Sequence, residues 1–199
     1  MLEKEYWGLL TSDEFNKKLN LFINKFGKPT IKKRLAIETN DWARPEVDSR
    51  IKITNGKAEF VQKTGDWNSR ERKELEIPLV NNVQAILDFF KAIITSVNAQ
   101  IPSQQIMQFE NYIFDLGYAE LKIAHQLGKS DRYFFEVELI DNSKDLDLIC
   151  KDLGLKADYE PKDRAFWEKW NQEVNIDSRN LSDDELKDLI EKYLAYPND

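Results

Sequence analysis

The amino-acid sequence predicts an α+β protein in which two antiparallel meanders are each accompanied by a helix and followed by a helical tail from about residue 142. Three observations carry this reading. Period-two alternation fills 30–78 and 105–140, an amphipathic helical pattern precedes each block, and after Asp141 the apolar spacing becomes helical to the end of the chain.

Each element follows from local chemistry. Leu2 to Trp7 alternates, with Glu3, Glu5 and Trp7 on one face, as a short first strand does. Thr11 and Glu14 form a capping box ahead of an apolar stripe made by Phe15, Leu19, Phe22, Ile23 and Phe26, which Gly27 and Pro29 terminate. In the alternating run Val47 to Thr64, Asn55-Gly56 supplies two positive-φ residues for a type I′ hairpin turn. Asn81 to Asn98 carries Val83, Ile86, Leu87, Phe90, Ile93, Ile94 and Val97 at helical spacing. Strands are expected at Gln105 to Asp115, Tyr118 to Ala124 and Arg132 to Ile140, separated by glycine-containing turns. Helices are expected at Ser143 to Leu153, Pro161 to Val174 and Ser182 to Leu194, the last with a Ser182/Glu185 capping box.

Composition bounds the function. The chain has 199 residues, 41% hydrophobic and 33% charged, enough apolar sequence for a core and too much charge for a membrane protein. The longest apolar stretch, Gln84 to Val97, is broken by Asp88 and Lys91 and falls short of the roughly 20 residues of a membrane span. The first residues carry neither a basic nor an apolar signal region, so a cytoplasmic location is expected. Cys150 is the only cysteine and His125 the only histidine, which rules out disulfides and Cys/His zinc sites within one chain. A net charge of -7 argues against general nucleic-acid binding, so any phosphate site must be a local concentration of basic residues.

The charge lies on strand faces. A two-residue turn at Asn55-Gly56 pairs Lys52 with Glu59, Arg50 with Val61 and Asp48 with Lys63, so Arg50, Lys52 and Lys63 share one face. Ile51, Ile53, Ala58 and Phe60 take the other. Glu-x-Glu recurs at Glu3/Glu5, Glu74/Glu76 and Glu136/Glu138. Such carboxylates point the same way about 6.5 to 7 Å apart, a spacing suited to hard divalent cations such as Mg²⁺ or Mn²⁺ bridging to phosphates. Arg and Lys on neighbouring strands would neutralise the phosphates. A charged sheet face is ordinarily just solvated; it is the recurrence on several strands that points to a polyphosphate site. His125 reads as a surface or a hydrogen-bonded residue at a strand end rather than a base, Cys150 as a small buried hydrophobe, and Phe166, Trp167 and Trp170 as the packing face of a helix.

Four stretches resemble the CYTH superfamily, the triphosphate tunnel metalloenzymes. Leu2-Glu3-Lys4-Glu5-Tyr6-Trp7 is similar to the family's N-terminal Glu-x-Glu-x-Lys, and Asp48-Ser49-Arg50-Ile51-Lys52 to its Leu-Arg-Ile-Arg strand. Glu59-Phe60-Val61-Gln62-Lys63 is similar to its Leu-Thr-x-Lys strand, and Phe135-Glu136-Val137-Glu138 to its late Glu-x-Glu. The resemblance implies a closed eight-stranded antiparallel β-barrel over residues 1–155, with 156–199 as a helical extension packed on the same domain. It implies metal-dependent hydrolysis of tripolyphosphate, thiamine triphosphate or a nucleoside triphosphate, a small-molecule substrate, inside a charged tunnel; monomer and homodimer both stay open. By residue, it implies Glu3, Glu5, Glu136 and Glu138 for Mg²⁺ or Mn²⁺, and Arg50, Lys52, Lys63 and Arg72 for phosphate. Glu74 and Glu76 extend the acidic set, and Lys122 and Arg132 extend the basic one. No catalytic acid or base is assigned.

Departures from the pattern open a second reading. Trp7 stands where the family has lysine, Met107 to Tyr112 contains no basic residue where a Lys-x-Arg pair is usual, and Ala124-His125 replaces an expected aspartate. A catalytically weakened barrel that binds nucleotide or polyphosphate as a sensor or interaction module fits these residues as well.

Overall fold

A computed structural model describes the chain except for residues 1, 42, 45, 67–68, 70, 97–103, 157–161 and 198–199, and only the backbone of Leu2, Glu3 and Ser96. The expected helix positions Val97, Asn98 and Pro161 lie outside the described residues. The first strand, β1 (Leu2–Leu10), is followed by helix α1 (Ser12–Phe26). The first meander comprises β2 (Thr30–Glu38), β3 (Val47–Thr54), β4 (Lys57–Thr64) and β5 (Glu71–Pro78). Helix α2 (Val83–Ser96) leads to β6 (Gln105–Asp115), β7 (Ala119–Leu127) and β8 (Arg132–Leu139). The tail holds α3 (Leu146–Asp152), α4 (Arg164–Glu173), the short strand β9 (Ile176–Asp177) and α5 (Asp183–Leu194).

Eight strands close into an antiparallel barrel in the order β2-β3-β4-β5-β1-β8-β7-β6, with β6 returning to β2. The closing pair is long, from Thr30 opposite Ile113 to Ile37 opposite Ile106. Closure leaves no exposed edge among these strands. The ninth, β9, pairs with the start of β6. The hairpin is as the turn residues dictate: Asn55 (φ 44°) and Gly56 (φ 78°) take the left-handed region, and the register places Asp48 opposite Lys63, Arg50 opposite Val61 and Lys52 opposite Glu59.

The hydrophobic core lies outside the sheet, between barrel wall and helices. Phe15 and Phe22 of α1 pack with Leu121, Ile123, Phe135, Val137 and Leu139, a layer that Ile149, Cys150 and Leu153 of the tail extend. Ile86, Leu87 and Phe90 of α2, joined by Leu186, Ile190 and Tyr193 of α5, cover Leu35, Ile37, Ile51 and Ile53. Each such side chain contributes about 1.5–3 kcal/mol relative to exposure. With period two, burying these residues outward turns their polar neighbours inward.

Several element boundaries differ from the sequence reading. The first strand continues through Gly8, Leu9 and Leu10 because β8 pairs with it as far as Leu10 opposite Tyr133. The strand expected to end at Ala124 runs to Leu127, so His125 lies inside β7, stacked on Tyr133 at 4.7 Å. α3 and α4 begin later than expected, because Asp145 and Asp163 are their N-caps. Both capping boxes, Thr11/Glu14 and Ser182/Glu185, are formed.

Candidate functional site

Following the register around the barrel, one face of every strand points into the lumen. β2 contributes Arg34 and Glu38, β3 contributes Asp48, Arg50 and Lys52, β4 contributes Glu59 and Lys63, and β5 contributes Arg72, Glu74 and Glu76. β1 contributes Glu5 and Trp7, β8 contributes Glu136 and Glu138, and β7 contributes Glu120 and Lys122.

Ion pairs knit these side chains across strands. Arg50 grips Asp48 through Nε and Nη2, both at 2.8 Å, and Arg72 Nη1 approaches the same carboxylate at 3.5 Å. Lys52 lies 3.5 Å from Glu74, Lys63 lies 3.3 Å from Glu5, and Lys122 lies 2.5 Å from Glu136. Burial alone would raise the Asp48 carboxyl, yet the Arg50 guanidinium and then Arg72 hold it at about 2. Burial likewise opposes the charge on Glu136, and Lys122 with Lys63 brings it down to about 2. Lys52 is lowered to about 8 by burial and by the neighbouring Arg34, against the pull of Glu74.

The acidic side is differently balanced. Glu5, Glu138 and Glu120 stand side by side on β1, β8 and β7. Burial first, then the neighbouring Glu136, raises the Glu138 carboxyl, with Glu120 and Glu5 adding to the effect. Opposite-charge and like-charge neighbours thus push two glutamates of one strand in opposite directions. Among the described residues, no three His, Cys, Asp or Glu side chains come close enough to cage a metal unaided.

Part of the lumen is apolar. Met107, Phe109, Ile113, Ala124 and Phe134 point inward from β6, β7 and β8. Trp7 packs on Phe134 at 6.1 Å and on Trp167 of α4 at 6.4 Å, and Phe109 meets Phe134 edge-on at 6.0 Å.

No family profile and no curated protein matches this sequence. Solved structures do. A Pyrococcus horikoshii protein, PH1012, superimposes with a TM-score of 0.60 at 17% identity over 80% of this chain and 96% of its own. A putative adenylyl cyclase from Hippeastrum with a dominant triphosphatase activity gives 0.55 at 12% identity over 84% of this chain and 95% of its own. A putative adenylate cyclase from Bacillus halodurans gives 0.56 at 11% identity over 83% and 97%. The chain has the CYTH fold.

Within this barrel the sequence-expected residues are distributed unevenly. Glu5, Arg50, Lys52, Lys63, Arg72, Glu74, Lys122, Glu136 and Glu138 come together on the lumen face. Glu3 is opposite Arg72 in the register, and its side chain lies outside the described residues. Glu76 is exposed. Arg132 engages α4 rather than the lumen cluster: Nη2 donates to Glu173 at 3.2 Å and the guanidinium lies 5.7 Å from the Trp170 ring. Trp167, expected only as helix packing, also closes over Trp7.

Sequence reasoning did not assign Arg34, Glu38, Asp48 and Glu120 to the site. The signal was present for all four, since Arg34 and Glu38 share a face of one alternating strand, Asp48 precedes Arg50 by two and Glu120 precedes Lys122 by two. Period two says nothing of which strand lies alongside; only the pairing of β7 with β8 brings Glu120 beside Glu138.

Proposed function

We propose that the lumen binds the phosphate chain of a small-molecule triphosphate and that a phosphoanhydride bond is hydrolysed there with Mg²⁺ or Mn²⁺. One observation carries the reading: Arg50, Lys52, Lys63 and Arg72, from three strands, face the same enclosed space as Glu5, Glu136 and Glu138. A phosphate chain needs distributed cations that do not have to reorganise, and barrel walls hold them. The triphosphatase activity of the Hippeastrum structure supports the same chemistry.

The donor set suits a hard ion. Glu5, Glu136, Glu138 and, by its register, Glu3 offer only carboxylate oxygens. Mg²⁺ is commonly held by one or two carboxylates plus substrate phosphates and water, so a complete protein cage is not required. The crowding that raises Glu138 is what a bound cation would relieve. When bound, such an ion supplies charge neutralisation and activation of water. The chain's own residues do the rest. Arg50 and Arg72 orient phosphoryl oxygens through directional N–H groups, Lys52 and Lys63 add point charges, and the Phe109, Phe134 and Trp7 rings exclude water from one side.

A second reading, a barrel that binds polyphosphate or nucleotide without turning it over, is favoured by Trp7, Phe109 and Asn111, which put aromatic and amide groups on the lumen face where the resemblance implies bases. Incubation with tripolyphosphate, thiamine triphosphate and ATP in Mg²⁺ or Mn²⁺ separates the two. Phosphate release is expected. No release above blank with any of them removes the enzyme, and calorimetric binding of tripolyphosphate without turnover then selects the second reading.

A further inference from the structure

We infer that Asp48 is a positioning residue that builds Arg50 and Arg72 into a paired-guanidinium clamp for adjacent phosphoryl groups; the inference rests on the triphosphate reading above. Asp48 lies two residues before Arg50 on β3, so both point into the lumen from the same strand. Its two oxygens are fully subscribed. Oδ1 accepts from Arg50 Nε at 2.8 Å and from Asn40 Nδ2 at 3.3 Å, while Oδ2 accepts from Arg50 Nη2 at 2.8 Å and lies 3.5 Å from Arg72 Nη1. Asn40 in turn accepts from the Ser49 backbone N–H, which ties the carboxylate to the strand.

Two guanidiniums held this close repel unless an anion stands between them. Asp48 supplies one negative charge to two positive ones, so the trio by itself stays net positive, with Glu38, opposite Arg50 in the register, and Glu5 as the further acids that act on Arg50. It also leaves donors to spare. The fork consumes the Nε/Nη2 edge of Arg50 and leaves Nη1 outside it. Arg72 is only 8% exposed, yet its Nε has no hydrogen-bond partner among the described residues, while its Nη2 donates to the Lys63 carbonyl at 3.3 Å. A buried donor left unpaired forfeits the hydration it had in water and gains nothing in return. A phosphoryl oxygen entering the lumen would remove that cost. The carboxylate of Asp48 stays ionised far below neutral pH, so the clamp is assembled before a ligand arrives.

Two measurements test the clamp. The first uses the native protein without ligand: Arg50 Nε–H, bonded to Asp48, should exchange with solvent more slowly than Arg72 Nε–H, and added tripolyphosphate should slow the latter. The second compares native protein with D48N, which keeps the size and removes the charge, and with D48E, which restores charge. Tripolyphosphate binding should weaken about tenfold or more in D48N, the scale of a lost charge-assisted pair, and recover most of that loss in D48E. In D48N the Arg50 Nε–H should exchange faster. Equal or tighter binding by D48N overturns the proposal, because Asp48 would then be a bystander or a competitor for the arginines. Unchanged Arg50 exchange in D48N overturns it whether or not tripolyphosphate binds. Failure of the native protein to bind tripolyphosphate instead sinks the triphosphate reading, and the ligand-free exchange rates still decide whether Asp48 organises the pair.

Discussion

Lys63 Nζ lies 3.3 Å from Glu5 Oε2, joining residues 58 positions apart on strands β4 and β1, between which β5 runs. Strands one removed from each other are about 9.5 Å apart, so the contact requires long side chains leaning into a closed lumen. Lys63 also acts on Glu136 of β8, three strands away around the wall. Replacing Lys63 with Met should therefore disturb both acids and lower kcat/KM for tripolyphosphate about a hundredfold, the usual loss for one preorganised electrostatic contact. Steady-state kinetics at fixed Mg²⁺ measures it, and an unchanged value would place the phosphate elsewhere.

Lys52 should make anion binding pH-dependent. With its ammonium lowered to about 8, the free protein loses that charge as pH rises through 8, and a bound phosphate would restore it. Tripolyphosphate binding at pH 8.5 should take up protons, read as a dependence of calorimetric enthalpy on buffer ionisation. K52R, always charged, should abolish the uptake while still binding.

Acid should destabilise the fold through Asp48 and Glu136. Both are held at about 2 against ordinary values of 3.8 and 4.5, so the unfolded chain binds more protons between those limits. Their contribution, on the order of 2 to 3 kcal/mol each, is complete above about 4.5 and is lost as pH falls to 2. Glu138, raised in the fold, works in the opposite direction above its ordinary value. Urea midpoints from pH 6 to pH 2 should fall, and the double variant D48N/E136Q should flatten the fall.

Trp7→Lys should separate activity from stability. The indole sits opposite Glu136 and packs on Phe134 and Trp167, so lysine would bring an ammonium to the lumen while removing aromatic contacts. Turnover of tripolyphosphate should rise, and stability should fall by about 1–2 kcal/mol, less than the roughly 3 kcal/mol of a fully buried ring because Trp7 is half-buried. A stable variant with no gain would mean that position 7 does not limit turnover.

Gly8→Ala should be destabilising without touching the lumen. A methyl there would collide with the Phe135 ring and lie 2.9 Å from the Lys156 carbonyl oxygen. A cost of about 1–3 kcal/mol is expected from such overpacking, measured by thermal unfolding. Tripolyphosphate affinity at a temperature where the variant is folded should be unchanged.

Local physics made much of this protein legible in its sequence. Asn55-Gly56 set the β3–β4 register to the residue, because a two-residue turn with both φ positive admits a single pairing. Alternation sorted Ile51 and Ile53 from Arg50 and Lys52, and Thr11/Glu14 and Ser182/Glu185 marked two helix starts. Period two says which side chains share a face, but it does not say which strands meet or how far one slides along another. Only the closure of β6 on β2 and the pairing of β1 between β5 and β8 brought Lys63 to Glu5 and set Glu120 beside Glu138. The same long-range packing turned Arg132 out to Glu173, seated Trp167 on Trp7, and gathered Phe109 and Phe134 into an apolar wall. These contacts join residues distant in sequence, and their geometry comes from barrel closure and helix docking rather than from any local pattern.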